Sequence, residues 1–139
     1  MFKKLFNNKG NKYGNKKVEY DGLKFDSKKE KDRYIFLKAQ EMLGNIQDLQ
    51  LQVKYELIPA IKEEYVEHLK TKDRVKTRTV QLAITYTCDF QYYKNGELII
   101  EDVKSSPKML AKEYVLKKKI LFALKGLKIT EVYKPTQQI

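Results

Sequence analysis

The chain has 139 residues, 42% of them hydrophobic, with ten Tyr and six Phe; this is material for one folded domain and argues against a wholly disordered protein. Its 29 Lys and Arg outweigh 18 Asp and Glu, and the formal charge of +11 favours a polyanion, most often nucleic acid, through counterion release. One Cys excludes an internal disulfide, one His excludes a His/Cys zinc centre, and no apolar run approaches the roughly 18 residues of a membrane span.

Residues 1–17 hold six Lys, four Asn, two Gly and no acid, which predicts a mobile basic arm ahead of a single domain over 18–139. The opening Met1 to Phe6 stretch is too short for a signal-peptide core, so a cytoplasmic protein is expected. Val18 to Asp26 predicts a small hairpin turning at Asp21-Gly22. Ser27 then opens a helix to about Leu43, closed by Gly44, with Glu30 placed to complete a capping box back to the Ser27 amide. Leu49, Leu51, Val53, Tyr55 and Leu57 alternate with polar residues, and Ile46 to Pro59 therefore reads as one long strand. Residues 60–78 are dense in both charges without a clean period and predict a mobile loop or a strand extension, with His68 solvated and without a partner.

Thr79 to Tyr86 is expected as a second strand running without a breaker into a hairpin, with a bend somewhere over 85–87. Asn95-Gly96 marks the turn, because both residues must accept positive φ. A two-residue turn pairs Lys94 with Glu97, sets Asp89 across from Asp102, and leaves Lys104 two positions along the same face. Cys88, alternating with Asp89, is expected in the core. The strand ends at Ser105-Ser106-Pro107; a helix from about Met109 to Leu124, closed by Gly126, and a last strand over Leu127 to Tyr133 follow.

Two carboxylates roughly 5 Å apart on neighbouring strands repel each other, and a divalent cation between them removes that cost. Hard Mg²⁺ prefers one or two carboxylates plus water and substrate oxygens. A lysine beside it serves as a point charge for a phosphate or an attacking water. Asp89, Asp102 and Lys104 supply that set. Glu101 is an alternative ligand if the turn slips by one residue, although the spacing to Lys104 favours Asp102. A solvated Lys–Asp ladder is the plain alternative for the whole group, and Leu98 and Ile100 on the same face speak against it.

With those residues in place the hairpin resembles the Asp…(Asp/Glu)-x-Lys signature of the PD-(D/E)xK nuclease superfamily, with Asp89 first and Asp102-Val103-Lys104 as the tripeptide. Cys88 stands where the superfamily's name has Pro. Tyr20 to Glu30, Tyr86 to Phe90 and Glu101 to Lys104 look like small phage-borne nucleases of Holliday-junction-resolvase type. The resemblance implies an α/β, single-domain αβββαβ restriction-endonuclease-like core, with a mixed central sheet flanked by helices, across about 27–133. It implies Mg²⁺ or Mn²⁺ held by Glu30, Asp89 and Asp102, catalysis with Lys104, a branched DNA substrate and a homodimer in the host cytoplasm. Lys108, Lys112, Lys117 and Lys118 are expected to line the DNA path. A non-catalytic nucleic-acid-binding module and a nicking or end-processing nuclease are the other readings.

Overall fold

A computed structural model of the chain describes residues 16–139; apart from Lys16 and Lys17, the expected basic arm lies outside the described residues. The chain opens with β1 (Val18–Tyr20) and β2 (Leu23–Phe25), an antiparallel pair turning at Asp21 and Gly22, whose φ values are 54° and 71°. Ser27 caps α1 (Lys28–Met42), its side chain accepting from the Glu30 amide at 3.1 Å. The Glu30 carboxylate reaches back to the Asp26 amide instead of the expected Ser27 amide.

The long strand expected over 46–59 is two, β3 (Gln47–Leu51) and β4 (Lys54–Ile58), separated where Gln52 turns to φ 53°. The charged 60–78 segment is largely strand and not a mobile loop. It is the core of a long antiparallel hairpin, β5 (Ile61–His68) and β6 (Asp73–Gln81), exposed along almost all its length. His68 is solvent-exposed but has a partner, with Nδ1 2.8 Å from Asp73 across the hairpin. The strand expected over 79–86 is likewise divided between β6 and β7 (Ile84–Thr87). Next come β8 (Phe90–Lys94) and β9 (Glu97–Val103).

Asn95 and Gly96 turn with φ 51° and 80°, and the ladder runs from Lys94 opposite Glu97 to Phe90 opposite Glu101, the two-residue register. Pro107 starts a short 3₁₀ turn (Pro107–Met109) and Leu110 is extended, so α2 (Lys112–Lys125) begins three residues later than Met109. Gly126, left-handed at φ 66°, ends it. Finally β10 (Ile129–Val132) lies parallel to β9.

The architecture is mixed α/β. One four-stranded sheet, in the order β10-β9-β8-β3, combines antiparallel and parallel pairs. Strand alternation sends Ile99, Glu101 and Val103 to the α1 side, where Phe25, Tyr34, Leu37, Ile46, Phe90 and Tyr92 form one core. It sends Ile100 and Asp102 to the α2 side, where Leu57, Tyr86, Cys88, Tyr114, Leu121 and Ile129 form the other. Cys88 is fully buried there, whereas Leu124, near the end of α2, is exposed. Each fully buried large side chain contributes about 1.5–3 kcal/mol. Among the described residues no helix is long and apolar enough to cross a membrane.

Candidate functional site

Two chain breaks build the site. The first, at Gln52-Val53, divides β3 from β4; the second, at Cys88-Asp89, divides β7 from β8. They face each other, with the Gln52 amide donating to the Asp89 carbonyl and the Cys88 amide donating to the Val53 carbonyl, each at 3.0 Å. Two paired strands thus bend together without losing main-chain hydrogen bonds. The bend opens a cleft of about 470 Å³ lined by Gln52, Thr87, Asp89, Asp102, Lys104 and Lys117, among others.

Asp102, from β9, is 6% exposed, which removes the solvated-ladder alternative. Tyr86 O–H donates to its Oδ2 at 2.6 Å and Lys104 Nζ lies 2.9 Å from its Oδ1. Lys104 Nζ also sits 3.7 Å over the Tyr114 ring, so the cation is held between a carboxylate and an aromatic face. Asp89 Oδ2 accepts from the Val103 amide at 2.8 Å, one residue past Asp102.

Burial first, then the charges of Asp102 and Glu30, push the Asp89 carboxyl well above the ordinary carboxylate range. Glu30 is raised too, mainly by burial, with Asp26 and Asp102 as repelling charges. The three acids are therefore within electrostatic reach of one another. Yet among the described residues no three His, Cys, Asp or Glu side chains converge as a ready ion-binding group. Gln52 stands between them, its Nε2 3.1 Å from Glu30 Oε1 and 3.4 Å from Asp89 Oδ1. Glu30 does not line the cleft; Gln52 does.

These shifts fix an expected pH dependence in chelator. An acid whose folded pKa is raised binds its proton more tightly in the fold, so metal-free stability falls as pH rises from about 4 through the raised value. Asp89→Asn is expected to stabilise the metal-free protein at pH 8, by order 1 kcal/mol or a few degrees of Tm, and to flatten that pH slope. Thermal melts across pH with and without divalent ion measure it; a less stable Asp89→Asn at pH 8 would count against mutual repulsion.

Glu101 faces the other side of the sheet. Its carboxylate takes Arg33 Nε at 2.8 Å, Arg33 NH2 at 2.5 Å and the Tyr92 hydroxyl at 2.6 Å, with Arg33 0% and Glu101 1% exposed. Arg33 NH1 additionally donates to the carbonyls of Pro135 and Gln137. Glu101 is thereby neutralised away from the cleft, and Asp102 alone of the two faces Lys104.

Of the lysines expected on a DNA path, Lys117 lines the cleft and pairs with Glu113 at 2.8 Å. Lys118 does not reach it; it binds Glu131 at 2.6 Å beside an apolar groove between α2 and β10. Lys108 and Lys112 are exposed. Gln52, Tyr86 and Tyr114 are site residues the sequence reading missed. Only Gln52 left no trace at all, because nothing in an alternating strand marks a non-glycine residue for positive φ.

Residues 10–137 match the model of a family described as "Protein of unknown function (DUF1064)". No curated protein and no solved structure matches the chain.

Proposed function

The chain belongs to the DUF1064 family, and from the residues of the cleft we propose that it is a metal-dependent nuclease hydrolysing DNA phosphodiester bonds. The observation that carries the reading is that Asp89, just ahead of β8, and Asp102, on β9, line one open cleft, with Asp89 Oδ2 held by the Val103 amide and Lys104 ion-paired to Asp102. The donor set fits a hard cation, since two carboxylates plus water and substrate oxygens satisfy Mg²⁺ or Mn²⁺. Asp89 and Asp102 would hold the ion, and Glu30 would act on it through Gln52 or by rotating past it. Bound there, the ion would activate water and neutralise charge on the phosphoryl oxygens.

The chain's own groups do the rest. Tyr86 and Lys104 fix the rotamer of Asp102, and the Val103 amide fixes that of Asp89. Lys104, 24% exposed, offers its ammonium to a phosphate oxygen or an attacking water at the cleft. Lys117 stands on the same wall, ion-paired to Glu113, which lines it too.

The finer reading is a restriction-endonuclease-like core acting on branched DNA as a homodimer. It is supported by the helix, strands, helix, strand order and by the Asp89…Asp102-Val103-Lys104 pattern. Two-fold junctions call for two sites related by symmetry. A second reading, a DNA-binding module without catalysis, is favoured by one observation: the three acids do not stand as a three-ligand group.

Purified protein incubated with labelled four-way junction, nicked duplex, linear duplex and single strand, in Mg²⁺, Mn²⁺ or chelator, separates these. Paired symmetric cuts on the junction, abolished by chelator, are expected. Salt-sensitive binding with no cleavage of any substrate under either metal would leave only the binding module.

A further inference from the structure

The mechanism above makes no use of the β5–β6 hairpin. Among the described residues its two strands pair only with each other in a separate two-stranded sheet, register running from Ile61 opposite Gln81 to His68 opposite Asp73. Eight residues of strand span about 26 Å. A lone two-stranded ribbon is marginal in water, and this one keeps Val66, Val75 and Val80 49%, 66% and 53% exposed.

Its charges are sorted by strand. Glu63, Glu64 and Glu67 lie on β5 with Lys62. Over 70–78, by contrast, Lys70, Lys72, Arg74, Lys76 and Arg78 recur at every second position with Asp73 as the one acid. Within β6, Arg74, Lys76 and Arg78 share one face. Two of the chain's three arginines are there. Side chains on one strand face repeat every ~6.8 Å, twice the ~3.4 Å axial rise between phosphates of one DNA strand.

Glu67 meets Lys76 at 2.7 Å and Glu63 meets Arg78 at 3.4 Å on that face, and Arg78 also lies over the Tyr65 ring at 5.6 Å. These pairs are open to water, where an ion pair is worth about 0–1 kcal/mol, so a phosphate competes with them readily. Arg74 has no ion pair among the described residues. The ribbon also leads into the site. Gln81 ends β6, and β7 begins at Ile84, whose next residues Thr85, Tyr86 and Thr87 line the cleft with Asp89 and Asp102.

We infer that the β5–β6 ribbon is a duplex-DNA docking arm, in which Arg74, Lys76 and Arg78 track the phosphates of the strand that enters the cleft. A two-stranded ribbon also fits the width of a DNA major groove. The inference rests on the nucleic-acid reading of the cleft and adds a second surface, outside the cleft, that holds the duplex.

The test compares wild type with R74Q/K76Q/R78Q, and with K24Q/K31Q/K38Q, which removes equal charge from β2 and α1. Binding to a 30-base-pair duplex is titrated in chelator from low to physiological salt. The arm variant is expected to bind more weakly, with the slope of log K against log salt about 2.7 less steep, 0.9 for each phosphate no longer neutralised. The control variant should keep the wild-type slope, and cleavage of a short single-stranded oligonucleotide should match wild type in both. A slope unchanged by the arm substitutions, or reduced equally by the control, overturns the inference. So does an arm variant that loses only self-association in sedimentation, which would make the ribbon a docking face for a second copy. A changed slope with no cleavage by wild type in any metal leaves the arm standing and removes the nuclease; normal cleavage with an unchanged slope does the reverse.

Discussion

Arg33→Met is expected to cost about 3–5 kcal/mol of folding stability, a large part of the ~5–15 kcal/mol that holds a domain of this size. The substitution leaves the Glu101 carboxylate in a site 1% exposed with only Tyr92 O–H to answer its charge. It also strips the Pro135 and Gln137 carbonyls of the guanidinium that gathers them. Removing both charges should be far milder. R33M/E101M replaces the pair with apolar side chains of similar length and is expected to recover most of the loss, because the desolvation penalty goes with the ions. Urea unfolding of the wild type, both single variants and the double variant measures the cycle. A loss below about 1 kcal/mol for Arg33→Met would mean the buried pair contributes only what an exposed one does.

The clamp bears on the cleft through geometry. Glu30 and Arg33 sit one turn apart on α1, and Glu101 and Asp102 are adjacent on β9. Pinning Arg33 to Glu101 therefore also sets how the Glu30 end of the helix approaches Asp102. Glu101→Gln, which keeps the hydrogen-bonding shape, is thus the right comparison for any substitution of Asp102.

Asp102→Asn is expected to lower cleavage by about 10²–10³-fold or more, by removing one of two carboxylates from the proposed ion site. The amide keeps the size of the side chain and can still accept from Tyr86, so the fold should survive. DNA binding should hold or tighten, since a negative charge leaves a surface that phosphate approaches. Glu101→Gln leaves the buried Arg33 cation without its counter-charge and should be less stable, but it should cleave at near the wild-type rate at temperatures where it stays folded. Single-turnover cleavage alongside equilibrium binding in chelator reads both quantities. Equal loss in Asp102→Asn and Glu101→Gln would point to a shared structural defect; no loss in Asp102→Asn would end the metal-site proposal.

The hairpin that carries these residues was legible because its register depends on two turn residues with strict backbone demands. Asn95 and Gly96 both take positive φ, and everything from Lys94–Glu97 outward is then counted off. The capped start of α1 and the Gly126 stop of α2 were legible for the same reason, being local. The bend at Gln52 was not, and the bend expected over 85–87 falls at Cys88-Asp89, because both are set by the opposite strand: each break takes its hydrogen bonds from the other. The β5–β6 ribbon was hidden by its exposure, since a strand with no buried face shows no apolar alternation. Arg33 carries no local signal of its role, since only the folded sheet brings Glu101, 68 positions away, onto it.

Ile58 and Ile84 are partners in the last rung before the ribbon departs. The whole excursion from 59 to 83 therefore leaves and re-enters through neighbouring strands, like an accessory plugged into a two-pin socket. A short turn joining the two isoleucines would leave the β8–β9 register, counted from Asn95-Gly96, as it is. Substrate preference and chemistry would then sit on separately inherited parts of one chain, free to diversify at different speeds.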